Sequence, residues 1–314
     1  MNIVLLDAKT LGDNSLAPLE QLGDFHSYEL TEPQSVVTRC QDAEVIISNK
    51  VVINAEHMQS LPKLKLICVA ATGTNNIDLQ AAAKQGITVC NVAGYSTASV
   101  VQHTFALLNA LLGNIHRYIN DCHHGAWQQS DMFCRLDYAI EELADKTLAI
   151  IGYGELGQAV ARVAEAFAMK VIVAERKGQP VREGRVSFEQ ALQNADVVSI
   201  HSPLTPQTQQ LFNADAFALM KPSAVLINTA RGPIIDEQAL VAALEQGDIA
   251  GAALDVLTRE PATADNPLIA YQGHNLLLTP HIAWASRQAR DRLIEQLAKN
   301  IIGFANGEIR NQVS

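Results

Sequence analysis

Short apolar runs alternate with amphipathic stretches from one end of the chain to the other. In the first third the runs are Ile3–Leu6, Val45–Ser48, Leu64–Val69 and Ile87–Cys90. They are apolar at nearly every position instead of every second one, the pattern of strands covered by helices on both faces. Between them lie segments such as Asp78–Gln85, closed by the breaker Gly86. From Thr97 to about Asn120 there is no proline and the apolar residues keep helical spacing, which predicts one long helix. A looser segment follows, His123–Glu142, whose Trp127 and Phe133 read as packing residues.

A second alternating series starts at Lys146. Its predicted strands are Thr147–Ile151, Lys170–Ala174, Asp196–Ile200, Ala224–Asn228, Ile249–Leu254 and Asn275–Thr279, and a last helix covers Ser286–Asn306. Strand and helix repeated in this way predict doubly wound parallel sheets, a smaller one first and a larger one after it. The helices beginning near Thr97 and Ser286 are the natural crossings. They place one discontinuous domain at 1–98 plus 286–314 and a second at 99–285.

Composition narrows the class. The chain has 314 residues, 48% of them hydrophobic and 18% charged, which suits a folded protein of two domains. The net charge of −10 comes with no basic cluster, so nucleic acid is not expected as a partner. An anionic substrate would have to be caught by a few local cations. The cysteines, Cys40, Cys68, Cys90, Cys122 and Cys134, are odd in number and include no C-x-x-C pair. Cys68 and Cys90 sit in apolar runs as small hydrophobes. With no signal-peptide pattern at the start and no run long enough to span a bilayer, a cytoplasmic location away from membranes is expected.

The first chemical motif is Gly152-Tyr-Gly154-Glu155-Leu156-Gly157. A predicted strand leads into it, a helix follows, and Glu175 stands at the end of the next strand. Glycines let backbone turn and approach a pyrophosphate, whose charge meets the helix N-terminus, and the acid accepts from the adenosine ribose. The larger sheet therefore reads as a dinucleotide-binding sheet. A carboxylate at 175 repels a 2′-phosphate, so NAD is favoured over NADP, although Arg176 and Lys177 would offset part of that repulsion.

The ends of the other strands carry the second constellation. Ser202 follows the third strand of the larger sheet, Arg231 the fourth, Asp255 the fifth with Glu260 shortly after, and His281 the sixth. These are all carboxyl ends of a parallel sheet, the edge at which such sheets bind ligands. Arginine offers a planar fork to a carboxylate or carbonyl oxygen. A histidinium can give a proton to a carbonyl oxygen as hydride arrives, and a glutamate beside it would fix the ring in its charged form. The set suits reduction of a small 2-keto acid to a 2-hydroxy acid.

With these motifs in place, the chain resembles the D-isomer-specific 2-hydroxyacid dehydrogenase family over essentially its whole length. The resemblance rests on Gly152–Gly157, Asn228-Thr-Ala-Arg231-Gly, Asp255 with Glu260-Pro261, and Thr279-Pro-His281. It implies two Rossmann-like doubly wound parallel-sheet α/β domains separated by an active-site cleft. It implies that Arg231 binds substrate, His281 is the acid/base and Glu260 orients it. It also implies that Asp255 and the Thr229 region hold the nicotinamide and that Ser202 lies along the cofactor. The segment Ala71-Thr72-Gly73-Thr74-Asn75-Asn76-Ile77-Asp78 resembles the family's substrate loop, with backbone N–H groups near Thr72 and Gly73 on the substrate carboxylate and Thr72 also near the cofactor.

Within the family, Ser48-Asn49-Lys50-Val51, Ala71-Thr72-Gly73, Asn91-Val-Ala-Gly94-Tyr-Ser-Thr97 and His281-Ile-Ala-Trp284-Ala-Ser286 are most similar to glycerate dehydrogenases, also called hydroxypyruvate reductases. Lys50, after a strand of the smaller domain, would then donate to the substrate's hydroxyl or carboxylate. Glutamate at 175, where the family usually has aspartate, is the main departure. The resemblance also implies that His116–Asp137 embraces a second subunit, giving a homodimer. Adjacent His123 and His124 do not share a helix face and lack a third ligand, so no metal is expected. The alternatives are a nucleotide-sensing regulator on the same fold, or a dehydrogenase for lactate, glycolate/glyoxylate or phosphoglycerate.

Overall fold

The computed structural model describes residues 1–313, and these divide into two compact units, residues 1–96 with 285–313 and Thr97–Trp284. The first unit holds β1 (Asn2–Leu5), β2 (Asp24–Ser27), β3 (Val45–Ser48), β4 (Leu66–Val69) and β5 (Thr88–Cys90), all parallel, in the order β2-β1-β3-β4-β5. β1, β3, β4 and β5 follow the apolar runs. β2 lies outside the apolar runs: its sequence, Asp-Phe-His-Ser, sits at the sheet edge with three of its four residues exposed, so it carries no buried pattern. Val4, Ile46, Ile67 and Val89 line one face of the core. The Arg287–Ala305 helix, capped by Ser286 accepting from Ala289 N at 3.2 Å, packs against β4. Residues 311–313 then return to β5, with Val313 N donating to Val89 O at 2.9 Å.

The second unit holds β6 (Thr147–Ile151), β7 (Lys170–Val173), β8 (Val197–Ile200), β9 (Val225–Asn228), β10 (Gly251–Leu254) and β11 (Leu276–Leu278). They too are parallel, in the order β7-β6-β8-β9-β10-β11. Alternate residues serve opposite faces, as the strand period demands. Ala149, Val198, Leu226 and Ala252 pack with Phe188, Phe212 and Phe217. On the other face Ile150, Val197, Ile227 and Ala253 pack under Phe105 and Leu108 of the Thr97–Leu112 helix and Val160 and Ala164 of the Glu155–Ala166 helix. The two ends of this unit are tied together, since the Ser99 hydroxyl donates to Ala283 O at 2.6 Å.

Two sequence expectations need correction here. The long helix from Thr97 is two helices, Thr97–Leu112 and Ile115–His123, because the chain breaks at Gly113-Asn114 and Asn114 takes a left-handed φ of 48°. Trp127 and Phe133 are not packing residues within the chain; they are 56% and 90% exposed. Among the described residues no helix is long and apolar enough to cross a membrane.

Candidate active site

In each sheet the strand order reverses direction once, and such a switch point opens a crevice at the carboxyl ends. In the second unit it lies between β6 and β8. β6 runs into Gly152, whose φ of +99° suits glycine, and a Cβ there would stand 2.6 Å from Ser202 Oγ and 2.8 Å from His201 O. Ser202 donates to Ile151 O at 3.0 Å, which fixes the two loops against each other. A Cβ at Gly157 would overlap Gly152 O, so helix and turn touch directly. A Cβ at Gly154 would meet nothing. Gly154 caps the Glu155–Ala166 helix without a side-chain bond, and the first-turn N–H groups have no helical partner. A helix N-terminus bared by glycine fits the pyrophosphate of a dinucleotide. Glu155 accepts from the Thr97 hydroxyl at 2.5 Å, and Leu156 is half-buried on the same turn.

Glu175 follows β7, but its carboxylate is occupied. Arg182 reaches it through Nε to Oε2 at 2.5 Å and Nη2 to Oε1 at 2.8 Å, Arg176 donates its backbone N–H at 2.9 Å, and Arg185 lies 3.8 Å away. The Arg182 guanidinium, then the Arg176 N–H, hold the carboxyl down at about 2. The neutralising side chains are therefore Arg182 and Arg185, where the sequence pointed to Arg176 and Lys177. The Lys177 ammonium sits over the Phe188 ring at 5.6 Å.

The structure brings His281 and Glu260 together: His281 Nδ1 meets Glu260 Oε2 at 2.6 Å. The other Glu260 oxygen accepts from Leu257 N at 3.0 Å. A Cβ at Gly232 would overlap the Leu257 backbone, so the turn carrying Arg231 rests on the loop carrying Glu260. Arg231 is itself fixed by Asn228, whose Nδ2 donates to Arg231 O at 2.9 Å and whose Oδ1 accepts from Ala230 N at 2.9 Å. β9, β10 and β11 are neighbours, so Arg231, Asp255 and His281 leave the sheet at one edge. Arg231 and His281 are half-buried, open enough to meet a ligand.

Known proteins bear directly on this arrangement. The family model "D-isomer specific 2-hydroxyacid dehydrogenase, NAD binding domain" matches residues 105–283. The chain belongs to that family. It is 42% identical to the glycerate dehydrogenase of Methylorubrum extorquens, with 99% of this chain and 98% of that one covered. It is 36% identical to the hydroxypyruvate reductase of Blautia hydrogenotrophica, with 100% of both covered. The solved TT0316 protein of Thermus thermophilus superposes with a TM-score of 0.88 at 33% identity, with 100% of both chains covered. The protein is thus an NAD-dependent D-2-hydroxyacid dehydrogenase with Rossmann-like parallel-sheet units.

In this dehydrogenase the Asp255 side chain is only 1% exposed. It accepts from Ile282 N at 2.9 Å, Ala283 N at 2.8 Å and the Thr279 hydroxyl at 2.5 Å. His281 adopts a left-handed φ of 55°, and its N–H donates to Asp255 O at 2.8 Å. The direct contacts of the Asp255 carboxylate therefore hold the turn that presents the imidazole. Burial pushes the Asp255 carboxyl up, but bonds from His103, Thr279, Ala283 and Ile282 outweigh it and hold the group below its usual value. Because Thr279 gives its proton to Asp255, the His103 Nε2 at 2.9 Å is the donor to Thr279 Oγ1. Thr229 is buried, with its hydroxyl 3.3 Å from that of Thr104.

The sequence did not reveal His103 or Glu237, nor the positioning roles of Asn228 and Gly232. Glu237 takes Thr258 N at 2.7 Å and Asn266 Nδ2 at 2.8 Å, fastening the loop around Glu260. Asn228 and Gly232 carried a signal, since both belong to the Asn228-Thr-Ala-Arg231-Gly motif; His103 and Glu237 act through contacts far apart in the chain.

In the first unit, Asp7 was also missed. Its buried carboxylate accepts from Asn49 N at 3.0 Å, Lys50 N at 2.6 Å and Val51 N at 3.2 Å, shaping the turn that carries Lys50. The Thr72 hydroxyl donates to Val92 O at 2.9 Å, and Asn91 Nδ2 donates to Thr72 O at 2.7 Å. Both side-chain bonds turn inward on the unit. Among the described residues nothing accepts from the backbone N–H of Thr72 or Gly73.

Proposed function

We propose that this dehydrogenase reduces hydroxypyruvate to D-glycerate with His281 as the acid/base. The observation that carries the chemistry is the 2.6 Å contact between Glu260 and His281, beside the Arg231 turn. Two relatives covering the full chain, named glycerate dehydrogenase and hydroxypyruvate reductase, support the substrate. When bound, the nicotinamide supplies or accepts the hydride. Arg231 holds the carboxylate or carbonyl oxygen in its fork. Glu260 keeps the Nδ1 proton and fixes the ring, so Nε2–H faces the carbonyl oxygen and protonates it as the alcohol forms; the reverse reaction returns that proton.

The remaining site assignments belong to the same proposal. Gly152, Gly154, Glu155, Leu156 and Gly157 receive the pyrophosphate, and Glu175 marks the adenosine ribose. Ser202, Thr229 and Asp255 line the nicotinamide side, while Lys50, Thr72 and Gly73 contact substrate, Thr72 also approaching the cofactor. Lys50 discriminates by donating to the 3-hydroxyl that pyruvate lacks. Initial rates of NADH oxidation with hydroxypyruvate, pyruvate and glyoxylate test the substrate. The highest kcat/KM is expected for hydroxypyruvate; equal efficiency with pyruvate overturns the choice while leaving the family intact.

The enzyme is a cytoplasmic homodimer in this reading. Five unpaired cysteines, three of them buried, suit a reducing compartment. Ile119, Met132, Phe133 and Leu136 are 52%, 59%, 90% and 73% exposed, an apolar arm that a second copy would cover. An apolar hollow of about 590 Å³ borders the same arm and includes none of Arg231, Glu260 and His281. Sedimentation of the wild type against Phe133→Asp checks the dimer.

A further inference from the structure

The edge of the second sheet carries an electrostatic device at the end of β7. A dinucleotide sheet with a further strand beyond β7 would continue here, but the chain makes only one bridge, Ala174 to Val186. Glu175 N donates to Val186 O at 2.8 Å and Val186 N to Val173 O at 3.0 Å. Between these points residues 176–185 loop out and back, with Gly178 and Gly184 at φ of +74° and +73°. That return lays Arg182 across Glu175. The Glu175 side chain is 2% exposed and that of Arg182 is 61% exposed, so solvent meets the cation and not the carboxylate. Arg176, Lys177, Arg182 and Arg185 all lie within this loop, against Glu175 and Glu183.

A free carboxylate selects against a 2′-phosphate by repulsion and accepts from the ribose hydroxyls that a non-phosphorylated dinucleotide offers. Here both oxygens are engaged by the guanidinium fork, a bidentate pairing that leaves little charge facing outward. We propose that Arg182 sets cofactor choice by closing over Glu175, so that the enzyme binds NADPH as well as NADH. This rests on the assignment of Glu175 to the adenosine ribose. Arg182 is then a positioning residue, acting through the carboxylate it covers.

Titration of the full-length protein with NADH and with NADPH, followed by nicotinamide fluorescence, tests it without turnover. The ratio of the two Kd values cancels any uniform loss of affinity. The wild-type constants are expected within about tenfold of each other, and Arg182→Ala should weaken NADPH relative to NADH by about tenfold by freeing Glu175. Glu175→Gln should shift the ratio the other way. In the Glu175→Gln background, Arg182→Ala should lose most of its effect, since the group it screens is gone. Arg182→Gln, which retains much of the stem, repeats the comparison should the alanine variant be unstable.

An equal effect of Arg182→Ala in both backgrounds would make Arg182 a direct phosphate ligand and overturn the screening role. A ratio moved by Glu175→Gln but not by Arg182→Ala leaves the ribose assignment standing and removes Arg182. If none of the variants moves the ratio, Glu175 is not at the ribose, and the underlying assignment falls with the proposal. Wild-type NADPH binding more than about a hundredfold weaker than NADH binding also overturns it.

Discussion

The two sheets share a parallel, doubly wound plan, yet their switch points are finished in opposite ways. Between β1 and β3 the converging N–H groups of Asn49, Lys50 and Val51 are satisfied by the protein's own Asp7. Between β6 and β8 the corresponding edge is glycine, and the helix N-terminus behind Gly154 has no side-chain cap. At the switch point itself the donors are thus met internally in one unit and left unmet in the other. A crevice becomes a ligand site when its polar groups are ordered by the fold but not consumed by it.

The contrast can be broken most sharply at His281. His281→Ala should cut kcat about a thousandfold, close to 4 kcal/mol of barrier, while thermal stability and NADH affinity stay near wild type. Near-normal turnover would remove the imidazole from proton transfer. Asp7→Ala is the counterpart in the first unit. It leaves buried donors unpaired and should cost about 3 kcal/mol of stability in urea titrations. Loss of substrate affinity with full stability would limit Asp7 to aiming Lys50 at the substrate and remove its role in holding the fold.

A third test exploits His201, whose Nε2 lies 2.8 Å from Ser199 Oγ while its buried Nδ1 has no partner among the described residues. Burial holds the imidazole down at about 4. An unfolded chain protonates this ring near pH 6.5 and the native one does so only near pH 4, so stability falls as pH drops through that window. The loss between pH 7.5 and pH 5 should be about 2 kcal/mol, and His201→Gln should flatten it. An equally steep loss in the variant would assign the effect to other groups. The smallest effect belongs to Glu237→Ala, which loosens the loop around Glu260 and should lower kcat/KM about threefold through imperfect positioning. A change confined to stability would limit Glu237 to holding the fold.

The difference between the two edges also marks what the sequence could reveal. Continuous apolar runs located Val45–Ser48 and Thr147–Ile151 to the residue, because every position of the first and all but the first of the second are buried. β2 escaped notice because its exposed residues bear no hydrophobic pattern. The Gly113-Asn114 break was missed because the apolar spacing of the flanking helices continues across it. The placing of Arg231, Glu260 and His281 beyond the carboxyl ends of neighbouring strands was legible because each follows an apolar run. Asp7 also follows a strand, but its partners lie over forty residues away and nothing local announces them. Arg182 is hidden for another reason. Its role depends on a return turn that replaces a strand, and no periodicity encodes that.

The bond between Ser99 and Ala283 has a consequence for how the polypeptide reaches this state. The first unit is assembled from the two extremities of the chain, with roughly 190 residues interposed, and joining its halves across an unfolded insert would cost about 5 kcal/mol of loop-closure entropy. Once the insert has folded, that hydrogen bond holds its ends together and the long loop has become a short one. The inserted unit therefore acts as an internal template, converting the most distant contacts in the sequence into a local docking step for the C-terminal helix.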